Sequence, residues 1–188
     1  MKEQIRIQSL NVNGLRDITK RSNIFNWFKL FPADLILIQD THFHEADKTF
    51  WTQQWGFPVE WTTHNAILSL NKDTILTRVE VQGLSERIMV VEVEMPQEEK
   101  FYLASVYVPA EREERGKFLQ DLPDELPHQW TFLAGDINMI ADPTLDRTPP
   151  RAGMGEASWA LFAESLQQWG LVDLHRALAP EDDTQVTK

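Results

Sequence analysis

The sequence predicts an α/β fold built from two packed mixed sheets with helices outside. Three observations carry that expectation. Strand-like runs dominate the 188 residues, helix-like runs lie between some of them, and several strands follow one another mid-chain with no helix between. A doubly wound sheet alternates strand and helix throughout, so the central block of strands argues for two sheets packed face to face.

The elements follow in chain order. In QIRIQSL (4–10), Ile5, Ile7 and Ser9 alternate with polar residues, as in a strand. A helix is expected over 19–31, where Ile24, Trp27, Phe28 and Phe31 share one face. DLILIQ (34–39) is a continuous apolar run, the mark of a strand buried on both sides. NAILSLN (65–71), TILTRVEVQ (74–82), RIMVVEVEM (87–95) and FYLASVYV (101–108) continue the strand series, with β-branched residues prominent in RIMVVEVEM. The charged start of 110–122, followed by Phe118, Leu119 and Leu122, reads as a surface helix, and WTFLAG (130–135) as a short strand. A last helix is expected over 156–170, with Trp159, Phe162, Leu166 and Trp169 at helical spacing and Gly170 as its C-cap. The aromatic residues on these faces are expected to be core.

Composition sets the limits. Hydrophobic content is 42% and charged content 25%, as in soluble globular domains. No apolar run approaches the ~20 residues of a membrane span, and the first residues lack a signal-peptide core. Cysteine is absent, which excludes disulfides and thiolate metal sites and fits an intracellular, nuclear or cytoplasmic, setting. The formal charge of −11 counts against nucleic-acid binding, because phosphate contacts are largely electrostatic. A local basic face or a bound divalent cation could offset that field.

Polar residues recur where the apolar strands end. Asn11, Asn13 and Arg16 follow the first strand, and Asp40 and His42 follow the second. Tyr107 and then Arg112 follow FYLASVYV; Asp136 and Asn138 follow WTFLAG. Should these ends meet on one edge, they form an oxygen-rich pocket suited to a hard cation such as Mg²⁺. Each has an ordinary reading too. Asn13-Gly14 is a turn dipeptide, Asp40 or Thr41 can cap a helix, Tyr107 can be core, and Asp136 can be a turn acid. His44, His64 and His128 carry no pattern and read as surface residues.

The motifs LNVNGLR, LIQDTH, SVYVP, GDIN and LDR, in that order, resemble the endonuclease/exonuclease/phosphatase superfamily. Within it they look most like the apurinic-like endonuclease domains of LINE-type retrotransposons. LSERIMVVEVEM, the spacing of GDIN to LDR, and LVDLHRALAPEDD add to the likeness, which runs from about Gln8 to about Asp183. The resemblance implies a single domain over 1–188 with a four-layered α/β sandwich. It implies hydrolysis of DNA phosphodiesters with Mg²⁺ or Mn²⁺ and no membrane partner. Asp40 and Asn13 would then hold the metal, and Tyr107, Asp136 and Asn138 would serve catalysis. Arg16, His42, Arg112 and Arg147 would contact substrate or support the motif.

The sequence departs from that family pattern in three places. Asp40 replaces a glutamate one methylene longer. His64 and Asn65 stand where a glycine pair is usual. No Ser-Asp-His occurs anywhere in the sequence, so the family's histidine and its last strands are not expected and the domain is read as incomplete at its C-terminal end. Two other readings follow: a non-catalytic relic or interaction protein keeping the fold, with self-association through an uncovered sheet edge, and a phosphatase acting on a small phosphate ester.

Overall fold

The computed structural model describes residues 4–81, 85–126, 131–141 and 156–178. In chain order the elements are β1 (Ile7–Asn11), α1 (Ile18–Lys29), β2 (Leu35–Gln39), α2 (Lys48–Trp55), β3 (Val59–Trp61), β4 (Asn65–Ser69), β5 (Ile75–Val79), β6 (Ile88–Glu94), β7 (Phe101–Tyr107), α3 (Arg112–Gln120), β8 (Thr131–Asp136), α4 (Glu156–Gln168) and α5 (Leu174–Leu178). A 3₁₀ turn at Glu45–Asp47 precedes α2.

The strands form two four-stranded mixed sheets, ordered β1-β2-β4-β3 and β5-β6-β7-β8. In the first, β1 and β2 are parallel and the other pairs antiparallel; in the second, β7 and β8 are the parallel pair. Each parallel pair is joined through a helix, α1 or α3, because a parallel return needs a crossover.

Side-chain alternation divides each central strand between two cores. Ile36, Ile38, Ala66 and Leu68 face outward and pack with Phe25 and Phe28 of α1 and Trp51 and Trp55 of α2. Leu35, Leu37 and Ile67 face inward and meet Met89, Val91, Val93 and Leu103 of the other sheet. On the far side Ile88, Val90, Ala104 and Val106 pack under Phe118, Leu119 and Phe162. The layers run α, β, β, α, as expected. The unbroken apolar run of β2 is explained: both its faces are covered, and all five residues are buried.

Some local readings change. In α1 the buried face carries Arg21, Phe25 and Phe28, while Trp27 is 45% exposed. Asp17 caps the helix by accepting the Lys20 N–H at 2.6 Å, so the helix starts at Ile18. Helix α2 and strand β3 lie in 48–61, where no element had been assigned. Their tryptophans form an aromatic cluster with Phe43, with Trp51 and Trp61 edge to face and Phe43 and Trp61 stacked. The last long helix buries Phe162 against the second sheet, with Trp159, Leu166 and Trp169 partly buried beside it, as its spacing predicts.

Candidate functional site

Strand direction decides what meets at the rim. The register pairs Asn11 with Gln39 and Gln39 with Asn65, so β1 and β2 end where β4 begins. In the other sheet Tyr107 pairs with Asp136, and Ile88 with Val106, so β7 and β8 end where β6 begins. Contacts between the sheets show that these are the same edge of the sandwich. Asn11 Nδ2 donates to Asp136 Oδ2 at 2.7 Å, across 125 positions of sequence. The Tyr107 phenol of the second sheet lies beside the Asp40 carboxylate of the first. The His64 ring lies 5.8 Å from the Tyr107 ring, centroid to centroid.

The loops leaving the strands are bent sharply. Asn13, Asp40, His42 and Asn138 all have positive φ, at 47°, 58°, 54° and 49°. Only one other described non-glycine residue, Gln97, shares that conformation. Such backbone costs on the order of 1–3 kcal/mol per residue and concentrates at functional sites. The β1 and β2 loops are zipped together: Gly14 N–H donates to Asp40 O at 2.7 Å and Leu15 N–H to Thr41 O at 2.9 Å. Gly14 has φ +80°, which disfavours a side chain, and a Cβ there would sit 3.2 Å from His42 Nδ1. Asn13-Gly14 is a turn, as its dipeptide suggests, and it lies on this rim.

The carboxylates are held by neighbours on either side. Asp40 Oδ1 lies 3.1 Å from His42 Nε2, and its side chain is 15% exposed. Asp136 accepts from Asn11 through Oδ2 and from the Asn138 N–H through Oδ1, at 3.1 Å. Asn138 in turn donates its amide to Val108 O at 2.9 Å, tying the ends of β7 and β8 together. Arg115 of α3 donates to the Asn138 carbonyl at 2.9 Å. Tyr107 packs between the His64 ring and the Arg87 guanidinium, 5.4 Å from its ring centre. Burial raises the Tyr107 phenol above its usual range and the negative charge of Asp40 raises it further, so it stays a neutral donor.

Beneath the rim lies a buried polar chain. Toward the rim the inward row of each central strand turns from apolar to polar: Leu37 to Gln39, Ile67 to Asn65, Leu103 to Ser105. Gln39 Nε2 donates to Ser9 Oγ at 3.1 Å and to Ser105 Oγ at 3.2 Å, and Ser105 Oγ donates to Asn65 Oδ1 at 3.1 Å. Asn65 Nδ2 donates to Glu86 O. Gln39, Asn65 and Ser105 are at most 1% exposed. Each member stands within two residues of a rim residue: Ser9 of Asn11, Gln39 of Asp40, Asn65 of His64, Ser105 of Tyr107. A satisfied buried network of this kind fixes one register of two sheets that could otherwise slide.

The rim brings together Asn13, Asp40, His42, Tyr107, Asp136 and Asn138. Arg16 is exposed on the loop before α1, and Arg112 opens α3 on the exposed outer side of that helix. Asp146 and Arg147 lie outside the described residues. His64 corrects the surface reading: it is half-buried in the site. Sequence reasoning misses Arg87, Gln39 and Ser105, marks Asn65 only as a departure from a glycine pair, and marks Asn11 only as a strand-end residue. The signal was present but reversed. His64 and Arg87 precede antiparallel strands, so they reach the rim from the other direction.

The donors at the rim are oxygen-rich, with carboxylates from Asp40 and Asp136 and carboxamides from Asn11 and Asn13. Among the described residues, no group of three or more His, Cys, Asp or Glu side chains forms a metal cage. That set fits Mg²⁺ or Mn²⁺, which take one or two carboxylates and fill the remaining positions with water and substrate oxygens.

No family model and no curated protein matches the sequence. Solved structures do match. The crystal structure of AP endonuclease LMAP from Leishmania major is 17% identical, with a TM-score of 0.62 over 94% of this chain and 70% of that one. Truncated Caenorhabditis elegans TDP2 is 15% identical, with a TM-score of 0.49 over 81% of this chain and 66% of that one. The likeness to the endonuclease establishes the fold, an α/β sandwich of two packed mixed sheets.

Proposed function

We propose that this chain is a divalent-cation-dependent phosphodiesterase domain of the endonuclease/exonuclease/phosphatase kind, of retrotransposon origin, acting on DNA. The carrying observation is the convergence of four strand ends on one rim. Asp40, Tyr107 and Asp136 meet there on backbone that few residue types adopt. The fold likeness to an AP endonuclease supports the same reading.

Each rim residue has a role its geometry permits. Asp136, oriented by Asn11 and by the Asn138 N–H, presents a fixed carboxylate that can position a water and accept its proton. Tyr107, neutral and rigidly packed, places a hydroxyl donor where charge develops on a phosphoryl group. His42 holds Asp40 in place. Asp40, with Asn13 or Asn11, would hold Mg²⁺ or Mn²⁺, which when bound polarises the phosphoryl oxygen and stabilises the leaving oxyanion.

The charge of −11 favours a second reading, that of a small phosphate ester as substrate. Supercoiled plasmid and p-nitrophenyl phosphate separate the two. With Mg²⁺ or Mn²⁺ the chain nicks the plasmid, EDTA stops the reaction, and Asp136→Ala removes it. Turnover of the small ester alone supports the phosphatase. Turnover of neither substrate, or nicking by Asp136→Ala at the wild-type rate, refutes the phosphodiesterase.

A further inference from the structure

We propose that His64 is a substrate-contact residue of the rim: as a neutral imidazole with its proton on Nε2, it donates a hydrogen bond to a phosphoryl oxygen bound beside Tyr107. This rests on the phosphodiesterase reading and adds to it a residue with no assigned role.

The argument begins from the donors available. Most rim donors are committed within the protein. Asn11 Nδ2 goes to Asp136, the Asn138 amide to Val108 O and His42 Nε2 to Asp40, and one Arg87 nitrogen, Nη2, goes to Glu114 Oε2 at 3.2 Å. Among the described residues, the His64 ring and the Asn13 carboxamide have no such partner. Asn13 is exposed, whereas His64 is half-buried against the Tyr107 ring and its backbone carbonyl accepts the Thr41 N–H at 3.3 Å. Its backbone is therefore held by Thr41 and its ring packed beside Tyr107, which positions it as a substrate contact requires.

The tautomer follows from burial. Nδ1 is enclosed and, among the described residues, has no hydrogen-bond partner. A proton there would bury an N–H with no acceptor, and a second proton would add a buried charge beside Arg87. The neutral form with its proton on Nε2 avoids both. Burial and the Arg87 charge hold the imidazole below its ordinary range, outweighing Asp40 and Glu86, which agrees. With Nδ1 enclosed, Nε2 is the ring nitrogen on which a donated proton can serve a ligand. A neutral donor suits a phosphoryl oxygen in a chain this acidic, because it adds no charge that nearby carboxylates would claim.

The test uses the full chain and two readouts. In ring ¹⁵N–¹H spectra, assigned by difference against His64→Gln, free His64 shows the Nε2–H tautomer. Inorganic phosphate shifts its Nε2 resonance saturably and leaves His44 unmoved. In plasmid nicking, His64→Ala loses about 10²-fold, the usual effect of removing one such donor, and His64→Gln stays within about tenfold of wild type. An Nδ1–H tautomer, a resonance that phosphate does not move, or His64→Ala within about threefold of wild type overturns the assignment. The spectra decide even if the wild-type chain nicks nothing, so failure of this contact and failure of the phosphodiesterase are told apart.

Discussion

Replacing Ser105 with alanine removes one oxygen from the middle of the chain that joins the sheets. Ser105 Oγ accepts from Gln39 Nε2 at 3.2 Å and donates to Asn65 Oδ1 at 3.1 Å. Gln39 keeps Ser9 Oγ as a partner at 3.1 Å, so its loss is partial. Asn65 is fully buried and its Oδ1 is left without a donor. Two net hydrogen bonds at about 1 kcal/mol each, with further desolvation cost at the orphaned oxygen, give roughly 2–3 kcal/mol of destabilisation. For a chain of this size that lowers Tm by roughly 5–10 °C. Gln39→Leu alone takes the Gln39 partner from both serines, while Ser105 Oγ still donates to Asn65 Oδ1. Combined with Ser105→Ala, it costs less than the two single changes added together, because they share one bond. Urea unfolding of the four proteins measures this cycle. A Ser105→Ala midpoint equal to wild type, or strict additivity in the double variant, refutes the network as drawn. The same variant is expected to lower nicking through Tyr107, two residues along β7.

Gly135→Ala places a Cβ 1.9 Å from the Val106 carbonyl, so β7 and β8 must separate at the residue before Asp136. The cost is about 3 kcal/mol in urea unfolding, with loss of nicking, and a wild-type midpoint refutes the close approach. Arg21 donates to Gln54 Oε1 at 2.7 Å and Leu15 O at 2.8 Å while lying 4.5 Å over the Trp51 ring. Arg21→Met costs about 2 kcal/mol, and Arg21→Lys recovers little of it, since an ammonium cannot make both bonds and the stack; full recovery by lysine refutes the fork. His64, held below its ordinary 6.5 by burial and Arg87 and raised by Asp40 and Glu86, gives stability that is present above that value and lost as pH falls through the folded pKa. Glu60, raised by burial, acts in the opposite sense: its contribution is complete below its ordinary 4.5 and lost as pH rises through the folded pKa. Urea midpoints against pH, wild type beside His64→Gln, isolate the histidine, and superimposable curves refute its burial.

The longer elements are legible in nearby residues. DLILIQ announced a strand covered on both faces, RIMVVEVEM and FYLASVYV announced their neighbours, and the spacing of Trp159, Phe162 and Leu166 announced α4, because alternation and helical period depend only on nearby residues. The block of strands without helices announced two sheets. Segment 48–61 escaped because its eight-residue helix and three-residue strand are too short for either period to emerge. The face of α1 was turned because a buried arginine does not look apolar, although Arg21 occupies the buried stripe with Phe25 and Phe28.

The sequence by itself determined most of the strands, the apolar faces of the longer ones, and that polar groups follow four strands. Which ends share an edge was decided only in three dimensions. Strand direction is set by pairing between distant segments, as in the hydrogen bond from Asn11 to Asp136 across 125 positions, and no local period encodes it. That pairing turned His64 and Arg87 from residues at strand starts into walls of the site around Tyr107. It also turned Gln39, Asn65 and Ser105 from apparent flaws in apolar strands into one hydrogen-bonded chain, because a buried polar group becomes stable only when its partner arrives from the other sheet.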